Sequence, residues 1–182
     1  MSFGTVGVKM GLNYNFKKAG KIISQLSPDD LITLEKICRE IQAAENALIR
    51  KAEENLVNCL EKCEGLCCRN ILPYEIISIY DFIYILTVQN SMHTEISRCL
   101  ENEDTFFPAD CIFLADGKGP CIFPPNARAA ICITTFCNNE APIKREIQCV
   151  KRKFVKLNWF ILTRKPRALI HSWLRRKRLT NS

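Results

Sequence analysis

Eight cysteines fall into two groups, and their placement limits the folds open to this chain more than any other feature. The first group, Cys59, Cys63, Cys67 and Cys68, reads C-x3-C-x3-C-C. The second, Cys111, Cys121, Cys132 and Cys137, lies in a stretch broken by Pro108, Gly117, Gly119, Pro120, Pro124 and Pro125. Apolar packing alone favours neither two adjacent cysteines nor a Pro/Gly-rich loop carrying four. A loop of that length inside a compact domain needs an organiser, and thiolates around a metal supply one.

The compartment decides what clustered cysteines do. Met1 to Ile23 has no apolar core and no small-residue cleavage site, so no signal peptide is read. The longest apolar stretch, Ile76 to Val88, contains Ser78 and Asp81 and is far short of the ~20 residues of a membrane span. The expectation is a soluble, cytoplasmic protein with reduced thiols and no transmembrane span. There, cysteine clusters are more often metal or redox groups than disulfides. With 182 residues, nearly half apolar, the chain can bury a real core.

The predicted fold is mainly α: a small helical domain with a loop-rich, metal-organised cysteine segment. Residues 1–26 read as a loosely held N-terminal arm, 27–142 as the helical cysteine-cluster domain, and 143–182 as basic amphipathic C-terminal helices. Ser27-Pro28-Asp29-Asp30 is a helix start. Leu31, Leu34, Ile37, Ile41, Ala44, Leu48, Ala52 and Leu56 then mark one face of a long helix over about 28–63, which Gly65 is placed to end. Pro73 opens a second, largely apolar helix to about Gln89, and a shorter one is expected over 91–101. Ile143, Ile147, Val150, Phe154, Leu157 and Ile161 define a last long helix that Pro166 is expected to break. A further amphipathic segment follows it.

On a helix, residues four apart share a face, so Cys59 and Cys63 present adjacent thiols. Cys67 can fold back to the same point after Gly65, whereas Cys68 binds elsewhere or packs in the core. Eight thiols suit one four-thiolate centre with spares or two metals. The donor set selects zinc, copper(I) or iron–sulfur over magnesium or calcium. Cys38, Cys99 and Cys149 read as small core residues. Arg128 is placed to neutralise a thiolate centre or to make a surface ion pair. His93 and His171 read as surface or satisfied residues, Glu75 and Asp81 do not share a helix face, and no phosphate loop, dinucleotide fingerprint or HExxH occurs.

Gly65-Leu66-Cys67-Cys68 followed by Pro73-Tyr74-Glu75 resembles the first motif of the YkgJ-type cysteine-cluster family. Cys111, Gly119-Pro120-Cys121-Ile122-Phe123, Arg128-Ala129-Ala130-Ile131-Cys132 and Cys137 approximate its second. The resemblance spans about 59–137. It departs from the pattern in the Cys59–Cys63 spacing, in Ala129 where proline is usual, and in a longer Cys121–Cys132 interval. It implies a zinc- or iron-chelating domain. Some relatives carry the cluster within larger enzymes, including flagellin lysine methylases. The expected function is metal binding, zinc or iron–sulfur, in a structural or redox role. The alternatives are a cluster-dependent enzyme of methyltransferase or oxidoreductase type and a binding protein acting through its basic tail. Residues 144–182 hold 13 of the 26 Lys and Arg against one acid, Glu146, a net charge of +12, while the rest carries −5. That asymmetry suggests an anionic partner for the tail, nucleic acid or a membrane surface.

Overall fold

A computed structural model describes residues 11–53, 68, 71–101, 111–115, 120–136 and 140–180, with side chains described as far as 164. The described chain is mainly helical. Among the described residues the only β pairing is an isolated antiparallel bridge between Leu114 and Cys121, and no helix is long and apolar enough to cross a membrane.

The first helix, α1 (Leu12–Ser24), lies where a loose arm was expected. That expectation is corrected for 12–24. Leu12, Phe16 and Ala19 step by four and three onto one face, and all three are buried. Phe16 meets Phe82 edge-on with ring centroids 5.5 Å apart and His93 at 5.0 Å. Asn15, also buried, donates to the Ile77 carbonyl at 3.2 Å. Composition pointed to looseness because Gly and Lys surround only a short apolar stripe, and tertiary packing overrides so weak a local signal.

Helix α2 (Pro28–Glu53) begins as its sequence demands. Ser27 Oγ accepts the Asp30 N–H at 3.2 Å and donates to Asp30 Oδ2 at 2.8 Å. Leu34, Ile37, Ile41, Leu48 and Ala52 are buried along its inner face. The expected extension to 63 lies outside the described residues, as does Gly65.

The single helix expected over 73–89 is two: α3 (Pro73–Ile76) and α4 (Ile79–Val88). The break is local chemistry. Ile77 is extended, and Ser78 caps α4 in a reciprocal capping box with Asp81, a hydrogen-bonding alternative that outcompetes continuation. A 3-10 turn, Asn90–Met92, leads into α5 (His93–Glu101), close to expectation. The short helix α6 (Ala130–Thr134) interrupts the expected loop over 102–139.

A second 3-10 turn, Ala141–Ile143, precedes α7 (Lys144–Thr180). Pro166 does not break this helix. It removes one donor, leaving the Leu162 carbonyl without its intrahelical partner. Helices α2 and α7 pack antiparallel. Arg164 Nε lies 3.1 Å from Asp30 Oδ1, while Lys153 and Lys156 reach Glu40 Oε2 at 2.8 and 2.9 Å. The two ammonium groups hold the Glu40 carboxyl down at about 2.

One hydrophobic cluster runs from Leu12 to Ile161. The boundaries drawn at 26 and 142 therefore separate segments that share a core.

Candidate metal centre

The two cysteine motifs meet through the backbone. The Cys111 N–H donates to the Cys68 carbonyl at 2.8 Å. From Cys111 the chain turns, with the Leu114 N–H on the Cys111 carbonyl at 3.1 Å. Residues 113–115 then pair with 120–122 in a small hairpin. Ala115 N–H bonds the Pro120 carbonyl and Ile122 N–H bonds the Phe113 carbonyl, each at 2.9 Å. Leu114 stands opposite Cys121. The hairpin is fastened to the core by Phe113, whose ring lies 4.8 Å from Phe123 and 6.2 Å from Phe82. Cys121 thus sits on one arm of the hairpin, and Cys111 lies just before the other arm, hydrogen-bonded to Cys68.

Cys132 is brought in by α6. Its first helical N–H, that of Ala130, is accepted by Asp81 Oδ1 at 2.8 Å. Asp81 Oδ2 meanwhile accepts from the Ser78 N–H at 2.8 Å and the Ser78 hydroxyl at 2.5 Å. Burial pushes the Asp81 carboxyl up, and these donors oppose it. One carboxylate thereby fixes the start of α4 and the start of the helix that carries Cys132. The sequence signal was present, since Ser78-Ile79-Tyr80-Asp81 is a capping-box spacing, but it lay hidden inside an apolar run.

The thiols of Cys111 and Cys132 both feel those of Cys68 and Cys121. Burial first, with Cys121, Cys68 and Cys99 adding to it, pushes the Cys111 thiol up to about 12. The Cys132 thiol is raised first by burial, then by Cys111, Cys121, Cys68 and Asp81. Cys68 from the first motif and Cys111, Cys121 and Cys132 from the second therefore act on one another. Buried thiols raised in this way stay protonated at neutral pH unless a cation offsets the charge.

Cys59, Cys63, Cys67 and Cys137 lie outside the described residues. Cys38 is buried in α2, where burial pushes it up to about 12 and Thr87 hydrogen-bonds its thiol. Cys149 is half-buried against the core on α7. Both fit the packing role expected of them. Cys99, read from sequence as packing, is half-buried near enough to Cys111 to raise its pKa. A single cysteine on a short amphipathic helix gives no signal of that proximity.

Thiols are soft donors of the kind that select thiophilic metals. Among the described residues, however, no group of three or more His, Cys, Asp or Glu is disposed to hold a metal ion. The described thiols alone do not make a closed site.

A second polar group lies deeper, and sequence reasoning missed it. Glu45 is fully buried on α2. Its Oε2 is 2.6 Å from Tyr84 Oη, which is also 3.0 Å from the Asn126 carbonyl. Tyr84 has one proton for two oxygen neighbours. Burial pushes Glu45 up to about 8, opposed by the Tyr84 hydrogen bond and Arg128, with Asp81 adding to the rise. A protonated Glu45 satisfies the geometry: its hydroxyl donates to Tyr84, and Tyr84 donates to the carbonyl. The arrangement pins the turn carrying Asn126 to α2 and α4. Arg128, expected beside the thiols or in a surface ion pair, bears on Glu45 and donates from Nε to the Phe123 carbonyl at 3.4 Å. The missed signal was periodicity, because Glu45 follows Ile41 by four on the buried face.

No family model matches the chain, and no curated protein or solved structure matches it.

Proposed function

We propose that this protein binds a metal, zinc or an iron–sulfur cluster, through thiolates of its two cysteine motifs. The candidate ligands are Cys59, Cys63, Cys67 and Cys68 with Cys111, Cys121, Cys132 and Cys137. The carrying observation is the convergence of Cys68 with Cys111, Cys121 and Cys132, joined by the 2.8 Å backbone hydrogen bond between Cys111 and Cys68. The resemblance of the cysteine order to the YkgJ-type pattern supports the same reading.

The physical role follows from the thiol chemistry. Protonated, the cluster is a set of buried S–H groups with weak hydrogen bonds. A metal exchanges those protons for coordinate bonds, so binding releases protons and strengthens as pH rises. It also ties the hairpin, α6 and the first motif together and so organises the loop-rich segment.

Reduced, metal-free protein titrated with Co2+ tests this reading. A thiolate set develops intense sulfur-to-metal charge-transfer absorption that saturates at a defined stoichiometry. Weak absorption that rises without saturating would contradict it.

A further inference from the structure

Helix α7 carries two apolar faces. Ile147, Val150, Phe154, Leu157 and Ile161 are buried against the core. Val155, Trp159 and Leu162, spaced by four and three, form a separate stripe and are exposed, Trp159 by 71%. In sequence the spacing continues through Leu169 or Ile170 to Trp173. An indole so exposed is the residue type that settles at a membrane–water boundary.

The exposed charges on this helix have one sign. Lys144, Arg145, Lys151, Arg152 and Lys156 are the charged residues among the exposed positions from 144 to 163, which hold no acid. Lys156 is engaged by Glu40. Lys144, Arg145, Lys151 and Arg152 make no ion pair among the described residues.

We propose that the outer face of α7 docks on an anionic lipid bilayer. Val155, Trp159 and Leu162 enter the headgroup–acyl boundary, while Lys144, Lys151 and Arg152 meet lipid phosphates and carboxylates. An amphipathic helix lying in the interface plane has this composition: a narrow apolar stripe with a bulky aromatic, rimmed by cations. A second copy of the chain fits poorly. Symmetric pairing would press like charges together, and three side chains fall well short of the roughly 800 Å² per partner of a stable interface. A nucleic-acid backbone matches the cations but offers nothing apolar to Val155 and Leu162. The inference is independent of the metal reading.

The experiment is co-sedimentation of the full-length protein with phosphatidylcholine vesicles, alone or containing phosphatidylserine, with tryptophan emission recorded in parallel. The expected result is binding to the phosphatidylserine vesicles, with a blue-shifted emission, that weakens as salt rises. Trp159→Asp should lower the affinity at least about tenfold, and Trp159→Phe should keep most of it. Lys151→Glu combined with Arg152→Glu should also lower it. These side chains are exposed, so the fold, followed by circular dichroism, is expected to persist; Leu162→Asp is the second variant should Trp159→Asp not fold. No binding to phosphatidylserine vesicles overturns the proposal. So does binding that Trp159→Asp and Leu162→Asp leave intact, or binding to duplex DNA in place of vesicles.

Discussion

Asp81 Oδ1 accepts the backbone N–H of Ala130 at 2.8 Å, across 49 positions of sequence. The same carboxylate caps α4 through Ser78. A single buried side chain thus links a core helix to the segment that presents Cys132. Asp81→Ala strands the Ser78 and Ala130 N–H groups in a part-buried setting. The expected cost is about 2–4 kcal/mol in urea unfolding, with Asp81→Asn recovering part of it. An Asp81→Ala variant as stable as the wild type would remove this carboxylate from the architecture of the site.

Glu45 sets a pH dependence whose sign is fixed. Its folded pKa, about 8, lies above the unfolded value near 4.5. The folded state therefore binds more protons between those values, and stability falls as pH rises through that window. The contribution is full below the unfolded pKa and is lost as pH passes the folded one. Glu45→Gln cannot ionise yet can still donate to Tyr84. Urea midpoints at about pH 5.5 and about pH 8 should differ clearly in the wild type and by much less in Glu45→Gln. Equal pH slopes in the two proteins would show that Glu45 folds in charged.

The long periodic elements were legible from sequence, and the short or polar connections were not. Ser27-Pro28-Asp29-Asp30 and the apolar spacing after it mark α2 from its first residue, because cap chemistry and periodicity agree. The inner stripe of α7 reads equally directly from Ile147 to Ile161. The docking of α1 was hidden because its apolar stripe is short and becomes stabilising only when Phe16 finds Phe82. The break at Ile77–Ser78 was hidden because the flanking residues are strongly apolar and mask one capping box. At the candidate centre, the spacing set Cys68 apart from Cys59 and Cys63 but gave no sign that it meets Cys111. The pinning of α6 by Asp81 and of the Asn126 turn by Glu45 and Tyr84 depends on contacts between residues far apart in sequence, which no local pattern encodes.

The cysteines divide into two classes that substitution can separate. Cys38→Ala removes a buried thiol hydrogen-bonded to Thr87, and should cost about 1–2 kcal/mol of stability while leaving metal content unchanged. Cys132→Ser, and the paired Cys111→Ser and Cys121→Ser, should lower metal content at least about tenfold, because a hydroxyl is a poor ligand for a thiophilic metal. Loss of metal in Cys38→Ala with retention in Cys132→Ser would reverse the assignment.

Metal binding that joins separate segments is coupled to their folding. Chelation should therefore accelerate amide exchange around residues 111–115 and 120–134 more than along α2 or the first five turns of α7. Uniform or unchanged exchange after chelation would separate any bound metal from the organisation of this region.

The central claim is tested most directly by elemental analysis, together with an absorption spectrum, of the full-length protein purified without oxygen. The account predicts about one or two equivalents of zinc with no visible bands, or of iron with the broad sulfur-to-iron absorption of a cluster. Fully folded protein that contains neither zinc nor iron would contradict it.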